Sequence, residues 1–294
     1  VKCSAREWTG EQFRTRDVLI FIGAVQIAVR LIASFIGSKT TDPAVLVLDE
    51  KGQYCIPILS GHIGGANEMA ERIAEMAGAL PVITTATDIR GKWAIDVFAR
   101  KNHLYIEDMQ KAKQISAKIL EGKTVVAAIE SGRDSIEGTV PEEVKIVPET
   151  YENPDIYIGI YERKLSSHVL RLIPQRITVG IGCRRGTSAE QIEQLVDKIL
   201  KESHINKKSI GRIASIDLKK DEEGLLTFCN KYNIELKKVE GEFSVSTFVK
   251  KVTGVDNVCE RSAVYTGGTL RIRKQAENGV TAAFAWDNWR VKFE

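Results

Sequence analysis

No apolar run in these 294 residues comes near the roughly twenty that a helix needs to cross a bilayer, so no membrane partner is expected. Charge of one sign is also scarce. Lys and Arg number 42 against 39 Asp and Glu, a net charge of +3, which is too small to imply a nucleic-acid partner. No basic run is interleaved with aromatics as a single-strand binder requires. Cysteine is sparse: Cys3, Cys55, Cys183, Cys229 and Cys259 lie far apart with no C-x-x-C pair. That excludes a disulfide framework and a zinc site and suits a reducing cytoplasm. The four histidines, His62, His103, His168 and His204, are not spaced as metal ligands on one element, so no protein-built metal site is expected. No signal-peptide pattern is seen.

What is present is an ordinary globular composition on a chain long enough for two or three domains. The most informative stretch is residues 55–78. Apolar Ile56, Ile58 and Leu59 read as a short buried strand. Ser60 to Gly65 holds three glycines in six residues. Met69, Ile73, Met76 and Ala77 then fall on one helical face, and Gly78 stands where a left-handed cap belongs. Strand, glycine turn and helix in that order deliver helix N–H groups to one spot, which favours an anion. Gly61, Gly64 and Gly65 let a ligand come close. His62, flanked by Ser60, Asn67 and Glu68, titrates near neutrality and suits a general acid or base. The plainer alternative is a tight α/β turn with a solvated histidine.

Along the chain, Val18–Ile22 is predicted as a strand, followed by a helix in which Ile27, Leu31 and Phe35 repeat every fourth residue and which ends at Gly37. Residues 44–48 and 53–59 should form a hairpin across 49–52. Pro81 to Thr85 reads as a further strand. Ligands of such sheets bind beyond the carboxyl ends of strands, which makes Arg30, Thr84, Thr85, Thr87 and Asp88 candidate wall residues. Helices are predicted around Trp93–Phe98 and Met109–Ile119, and strands at 124–129, 156–160 and 169–173. Residues 141–148 read as an acidic loop. This middle region shows no catalytic constellation, and His103 and His168 read as surface residues.

From Arg176 a third unit starts. Ile177–Ile181 is a strand, Gly180 to Gly182 opens the turn, and Cys183, Arg184, Arg185 and Gly186 follow. Thr187 with Glu190 reads as a capping box before the stripe Ile192, Leu195, Val196, Ile199 and Leu200. The spacing is not a dinucleotide fingerprint, nor is there a phosphate loop. Arg184 and Arg185 at a helix start suit a polycarboxylate, unless they are simply surface arginines. The same surroundings would lower the Cys183 thiol's pKa, although small cysteines are often merely buried. Further strands are expected at 213–216, ending at Asp217, and at 234–239. Helices are expected at 225–228, 246–251 and 258–265. A terminal hairpin should turn at Asn278-Gly279. The fold class expected is α/β: an N-terminal domain (1–85) with a mostly parallel sheet, a small α/β middle domain (86–174), and a C-terminal α/β domain (175–294) ending in the hairpin.

Several motifs together resemble a known family. Ser60-Gly-His-Ile-Gly-Gly-Ala-Asn-Glu-Met-Ala70 with Pro81-Val-Ile-Thr-Thr-Ala-Thr-Asp88 is similar to the signature of the cobalamin-biosynthesis protein G family, the cobalt-precorrin-5A hydrolases. Phe21-Ile-Gly-Ala-Val, Ala28-Val-Arg30, Lys39-Thr-Thr-Asp-Pro-Ala-Val45 and Val179-Gly-Ile-Gly-Cys-Arg-Arg-Gly-Thr-Ser188 resemble it too. Gln26 departs from the pattern, where glycine is more usual. The chain begins at Val1, and the family normally has a strand and helix before this point, so an N-terminal truncation is expected. The resemblance implies hydrolysis of a ring lactone on a cobalt corrinoid and loss of the bridging carbon as acetaldehyde. Cobalt is then carried by the substrate and no cofactor is needed. It implies His62 as base, with Glu68 or Asp88 orienting it or taking its place, and Ser60 with the Gly64 and Gly65 amides as oxyanion donors. Arg184, Arg185 and Arg30 would hold carboxylates, and Glu260 falls on a family acidic position. The corrinoid is the one partner implied, and a homodimer is left open. A non-catalytic corrinoid carrier and a nucleotide- or phosphate-using enzyme are the competing readings.

Overall fold

The computed structural model describes residues 3–38, 40–131, 135–216, 221–239 and 258–293. By its contacts the chain divides into two compact units. The first is Val1–Lys101 with Ala112–Thr124, the second Asn102–Lys111 with Val125–Glu294.

The first unit is built on a strand that is apolar on both faces. Its elements in order are α1 (Ala5–Thr15), β1 (Val18–Ile22), α2 (Val25–Ile32), β2 (Ala44–Leu48), β3 (Tyr54–Leu59), α3 (Ala66–Ala77), β4 (Leu80–Pro81), α4 (Ala86–Ile89) and α5 (Ile95–Lys101). The sheet runs β1-β2-β3-β4. β1 and β2 are parallel, β2 and β3 form the expected antiparallel hairpin, and β3 and β4 are parallel. Side chains alternate along β2, so each face of that strand needs a cover. Ala44 and Leu46 pack with Ala66, Ala70 and Ala74 of α3. Val45 packs with Phe13 of α1 and Ile32 of α2. Three layers result, helices on both faces of one sheet.

Several local expectations change here. α1, capped by the Ser4–Glu7 box, was not foreseen. α2 buries Ala28 and Ile32, whereas Ile27 is 61% exposed. The apolar stripe is one residue out of phase with the expected one, and the helix stops at Ile32 rather than reaching Gly37. In α3 the alanines form the buried side and Met76 is 88% exposed. Alanine lets the helix sit close on β2, and the larger side chains are pushed to its margins. Gly78 does hold the left-handed cap. The strand expected at Pro81–Thr85 ends at Pro81, and Thr85 instead starts α4.

In the second unit, β5 (Leu104–Ile106) precedes α6 (Met109–Leu120), a helix whose later residues count with the first unit. Then come β6 (Val125–Ile129), β7 (Ile136–Gly138), β8 (Val144–Val147), β9 (Ile156–Ile158) and β10 (Leu170–Pro174). One sheet is ordered β5-β10-β9-β6-β8, parallel except at β5. β8 corrects the acidic-loop reading of 141–148: Val144 and Val147 are buried in the sheet, and the acids precede the strand. The chain continues as β11 (Ile177–Cys183), α7 (Ala189–Glu202), β12 (Ile210–Ile216), α8 (Glu223–Tyr232), β13 (Glu235–Val239), α9 (Val258–Val264), β14 (Thr269–Glu277), β15 (Val280–Trp286) and β16 (Val291–Phe293). The sheet β13-β12-β11-β15-β14 buries the predicted α7 stripe in full against Val179, Ile181, Phe228 and Phe284. On its other face α9 lies so close to β11 that a Cβ at Gly180 would meet the Cys259 carbonyl at 1.9 Å. β16 pairs with β7. The terminal hairpin turns at Asn278 and Gly279, both at positive φ, as a two-residue hairpin turn requires. The predicted helix at 246–251 and Asp217 lie outside the described residues.

Candidate active site

β3 ends at Leu59, and the next eight residues are locked by their own backbone. Ser60 takes a positive φ of 55°, and its hydroxyl donates to the Asp42 carbonyl at 3.0 Å. The Asp42 carboxylate in turn accepts the Gly37 and Ser38 N–H groups. The N–H groups of Gly65, Ala66 and Asn67 donate to the carbonyls of His62, Ser60 and Gly61. A Cβ at Gly64 would overlap Ser60, and one at Gly61 would meet Asn67 Oδ1 at 2.7 Å. The glycines thus serve close packing of the loop on itself. Of the expected anion donors, the Gly65 amide and the first amides of α3 are therefore already in use, and the Ser60 proton is committed to Asp42.

The loop projects His62 between two carboxylates. Nε2 lies 2.8 Å from Asp88 Oδ2, and Nδ1 lies 3.2 Å from Asp96 Oδ1. The Thr87 hydroxyl is 3.3 Å from Nε2. The imidazole is 12% exposed, Asp96 16% and Asp88 35%, so Asp88 is the member of the cluster open to solvent. Asn67, buried at the start of α3, donates to Asp88 Oδ2 at 2.9 Å and to the Thr85 hydroxyl at 2.8 Å. Asp88 Oδ2 therefore receives two donors, while Oδ1 has no hydrogen-bond partner among the described residues. The Asp96 hydrogen bond and charge, with Asp88 adding to them, raise the His62 pKa to about 9 against the opposing effect of burial. At neutral pH the ring is a cation with no lone pair to accept a proton. Asp88, the more exposed carboxylate, keeps Oδ1 open beside it.

Glu68 does not orient His62. It pairs with Arg100 Nη2 at 2.5 Å, which holds its carboxyl below the usual range. Arg100 Nε also donates to the His62 carbonyl at 3.0 Å, so the Glu68–Arg100 pair braces the loop. Asp96 and Arg100 were not foreseen, although the sequence carries a signal for them. They stand four residues apart, on one helical face, while Ile95, Phe98 and Ala99 are buried. Thr84 and Arg30 are exposed, and neither joins the cluster.

The other candidates belong to the second unit. Gly182 and Cys183 are the end of β11, a strand two residues longer than expected, so the turn starts only at Arg184. The cap of α7 is Ser188 with Gln191, one residue beyond the expected Thr187. The Thr187 hydroxyl instead donates to the Arg184 carbonyl at 2.8 Å. The Gly186 N–H donates to Glu222, and the Arg184 side chain lies along Gly279. Arg185 is exposed. Glu260 is buried and accepts the Lys274 N–H at 2.8 Å, which ties α9 to β14. No helix among the described residues is long and apolar enough to cross a membrane.

Comparison with known proteins covers nearly the whole chain. Residues 7–88 match the family model described as Cobalamin synthesis G N-terminal. Residues 93–174 match the Cobalamin biosynthesis central region, and 177–285 the Cobalamin synthesis G C-terminus. The cobalt-precorrin-5A hydrolase of Priestia megaterium is 34% identical over 298 residues, covering 94% of this chain and 79% of that protein. The cobalt-precorrin-5A hydrolase of Salmonella typhimurium is 34% identical over 292 residues, covering 92% of this chain and 82% of that protein. Among solved structures, a cobalamin biosynthesis protein G homolog from Sulfolobus solfataricus aligns over 93% of this chain and 83% of that one. Its identity is 25% and its TM-score 0.39.

Proposed function

The chain belongs to the cobalamin synthesis G family, and from that premise we propose that it is a cobalt-precorrin-5A hydrolase working in the cytoplasm. Its substrate is a cobalt corrinoid bearing a ring lactone, and the metal enters and leaves with that substrate. The observation that carries the catalytic assignment is the Asp96–His62–Asp88 cluster, with its outer carboxylate half-open to solvent.

The reaction needs a base for water and an environment that tolerates developing negative charge. Asp88 Oδ1 takes a proton from water as the water oxygen bonds to the lactone carbonyl carbon. The tetrahedral oxyanion forms beside the His62 cation, which offsets its charge, and Asp96 keeps that cation in place. The oxyanion collapses and breaks the ester C–O bond, and the proton returns from Asp88 to the departing alkoxide. In a second step Asp88 removes the proton of the freed hydroxyl. The carbon–carbon bond to the ring breaks, acetaldehyde leaves, and the bond's electron pair passes into the conjugated macrocycle, which takes up a proton. The ring is the electron sink, so the protein's part is to hold, ionise and shield. Asn67 contributes by fixing Asp88 Oδ2, which leaves Oδ1 for the water.

The test is acetaldehyde release from the lactone substrate by the purified chain, followed by coupled reduction of the aldehyde. Wild-type protein releases one acetaldehyde per ring. Binding of the ring with no aldehyde would make the protein a carrier and overturn this reading.

A further inference from the structure

The second unit contains a cleft of about 1310 Å³ that the catalytic cluster, seated wholly in the first unit, does not use. Pockets for small ligands run to roughly 300–1,000 Å³, so this one suits something larger. Its walls come from the segment between β10 and β11, from β14, and from the loop joining β15 to β16. That loop is anchored at both ends. The Asp287 N–H donates to the Arg176 carbonyl at 3.0 Å, and the Lys292 N–H donates to Asn102 Oδ1 at 2.6 Å.

The cleft offers donors that have no partner among the described residues. Arg176 spends one nitrogen on the buried Glu130, at 2.5 Å. Its Nε is buried with no partner among the described residues, and so is the indole Nε1 of Trp289. Buried N–H groups are rarely left unpaired in a native protein, and each such group asks for an explanation. Each lining acid has a cationic partner. Glu130 is held by Arg176, Glu137 by Lys292, Glu149 by Arg163, and Asp287 by Arg212. Arg271 and Arg290, which also line the cleft, have no acidic partner among the described residues. A flat surface accompanies this surplus of cations. The Arg176 guanidinium stacks 5.6 Å from the centre of the Trp289 ring, and Trp286 lies in the same wall.

We propose that this cleft binds a large planar polycarboxylate, the corrinoid ring with its acid arms. Arg271 and Arg290 take carboxylates, Arg176 and Trp289 lend their spare N–H groups, and the indoles meet the ring's edge or face. The argument depends on the function proposed above only for the class of the ligand. The donors and the volume stand without it.

The probe is cobyrinic acid, a cobalt corrinoid with free carboxylate arms, against its heptamethyl ester, which has the same ring and no carboxylate charge. Binding is read from quenching of tryptophan fluorescence and by calorimetry on the full chain. Cobyrinic acid is expected to bind at least tenfold more tightly than the ester. Arg271→Gln with Arg290→Gln should remove that preference, and Trp289→Phe should weaken binding several-fold. Arg184→Gln with Arg185→Gln, cations outside the cleft lining, should leave affinity within about twofold. Equal affinity for acid and ester, or wild-type affinity in the Arg271/Arg290 variant, would overturn the proposal. So would a wild-type chain that binds neither probe. Acetaldehyde release by wild-type protein is scored separately. If it proceeds while the cleft variants bind and turn over normally, the cleft inference fails and the hydrolase stands. If wild type releases none, the hydrolase reading fails.

Discussion

His62 shows how far a neighbour can change a residue's part in the chemistry. Free imidazole is about half protonated near pH 6.5, which makes it a plausible base on sequence grounds. Two carboxylates within 3.2 Å turn it into a cation up to about pH 9. Replacing Asp96 with Asn removes the strongest of those influences. The His62 pKa should then fall from about 9 toward 6.5, read by NMR titration of the ring, and the alkaline limit of activity should fall with it. An unmoved titration would show that Asp96 does not hold the ring. Asp88→Asn keeps the shape and removes the base, so kcat for acetaldehyde release should drop by roughly 10²- to 10⁴-fold. A variant retaining wild-type kcat would place the base elsewhere. Glu68→Gln touches only the Arg100 brace and should cost much less than either.

Elements decide where these side chains arrive. α3 begins only after the 60–65 loop has closed on itself, and the same helix carries Asn67 to the cluster. At Gly61 even a methyl group would strike Asn67 Oδ1. Gly61→Ala should therefore displace Asn67, loosen Asp88, and cut activity more than tenfold while leaving the circular dichroism of the fold intact. Wild-type turnover in that variant would show that Asn67 does not govern Asp88. Ser188→Ala tests an ordinary element end, because it deletes the bond to the Gln191 N–H at 3.3 Å. It should lower stability by about 1 kcal/mol and spare activity, as measured by urea unfolding alongside turnover. Periodicity located every buried large aliphatic of α7, because a long stripe of such residues has a single solution. It misjudged α2, which buries Ala28 and Ile32, and α3, where small alanines dominate the buried side and Met69 and Ile73 pack at its margin.

For the whole molecule, the ion cluster links stability to pH with a definite sign. The folded pKa of His62, about 9, exceeds the unfolded value near 6.5. The cluster's stabilisation is fully present below about pH 6.5 and is lost as pH rises through about 9. Urea unfolding of wild type and His62→Gln should therefore converge by up to about 3 kcal/mol between pH 6 and pH 9.5. A constant gap would refute the assignment. Much of the architecture was legible beforehand: the β2–β3 hairpin, the strand–glycine turn–helix of 55–78, the terminal Asn278-Gly279 turn, and the mixed α/β class. Each of these is written within a dozen neighbouring residues, where side-chain period, caps and turn chemistry act directly on the local backbone. The motif around His62 was equally legible, and with it the family. What tertiary structure alone decided was the state of that histidine. Asp96 comes from 34 residues away in sequence and sits on a short helix with no motif of its own. Proton affinity depends on charges brought within a few ångströms by folding, and no local pattern records that distance. The same holds for the cleft around Trp289, whose donors come from segments up to about a hundred residues apart and have a shared purpose only once the sheets have packed.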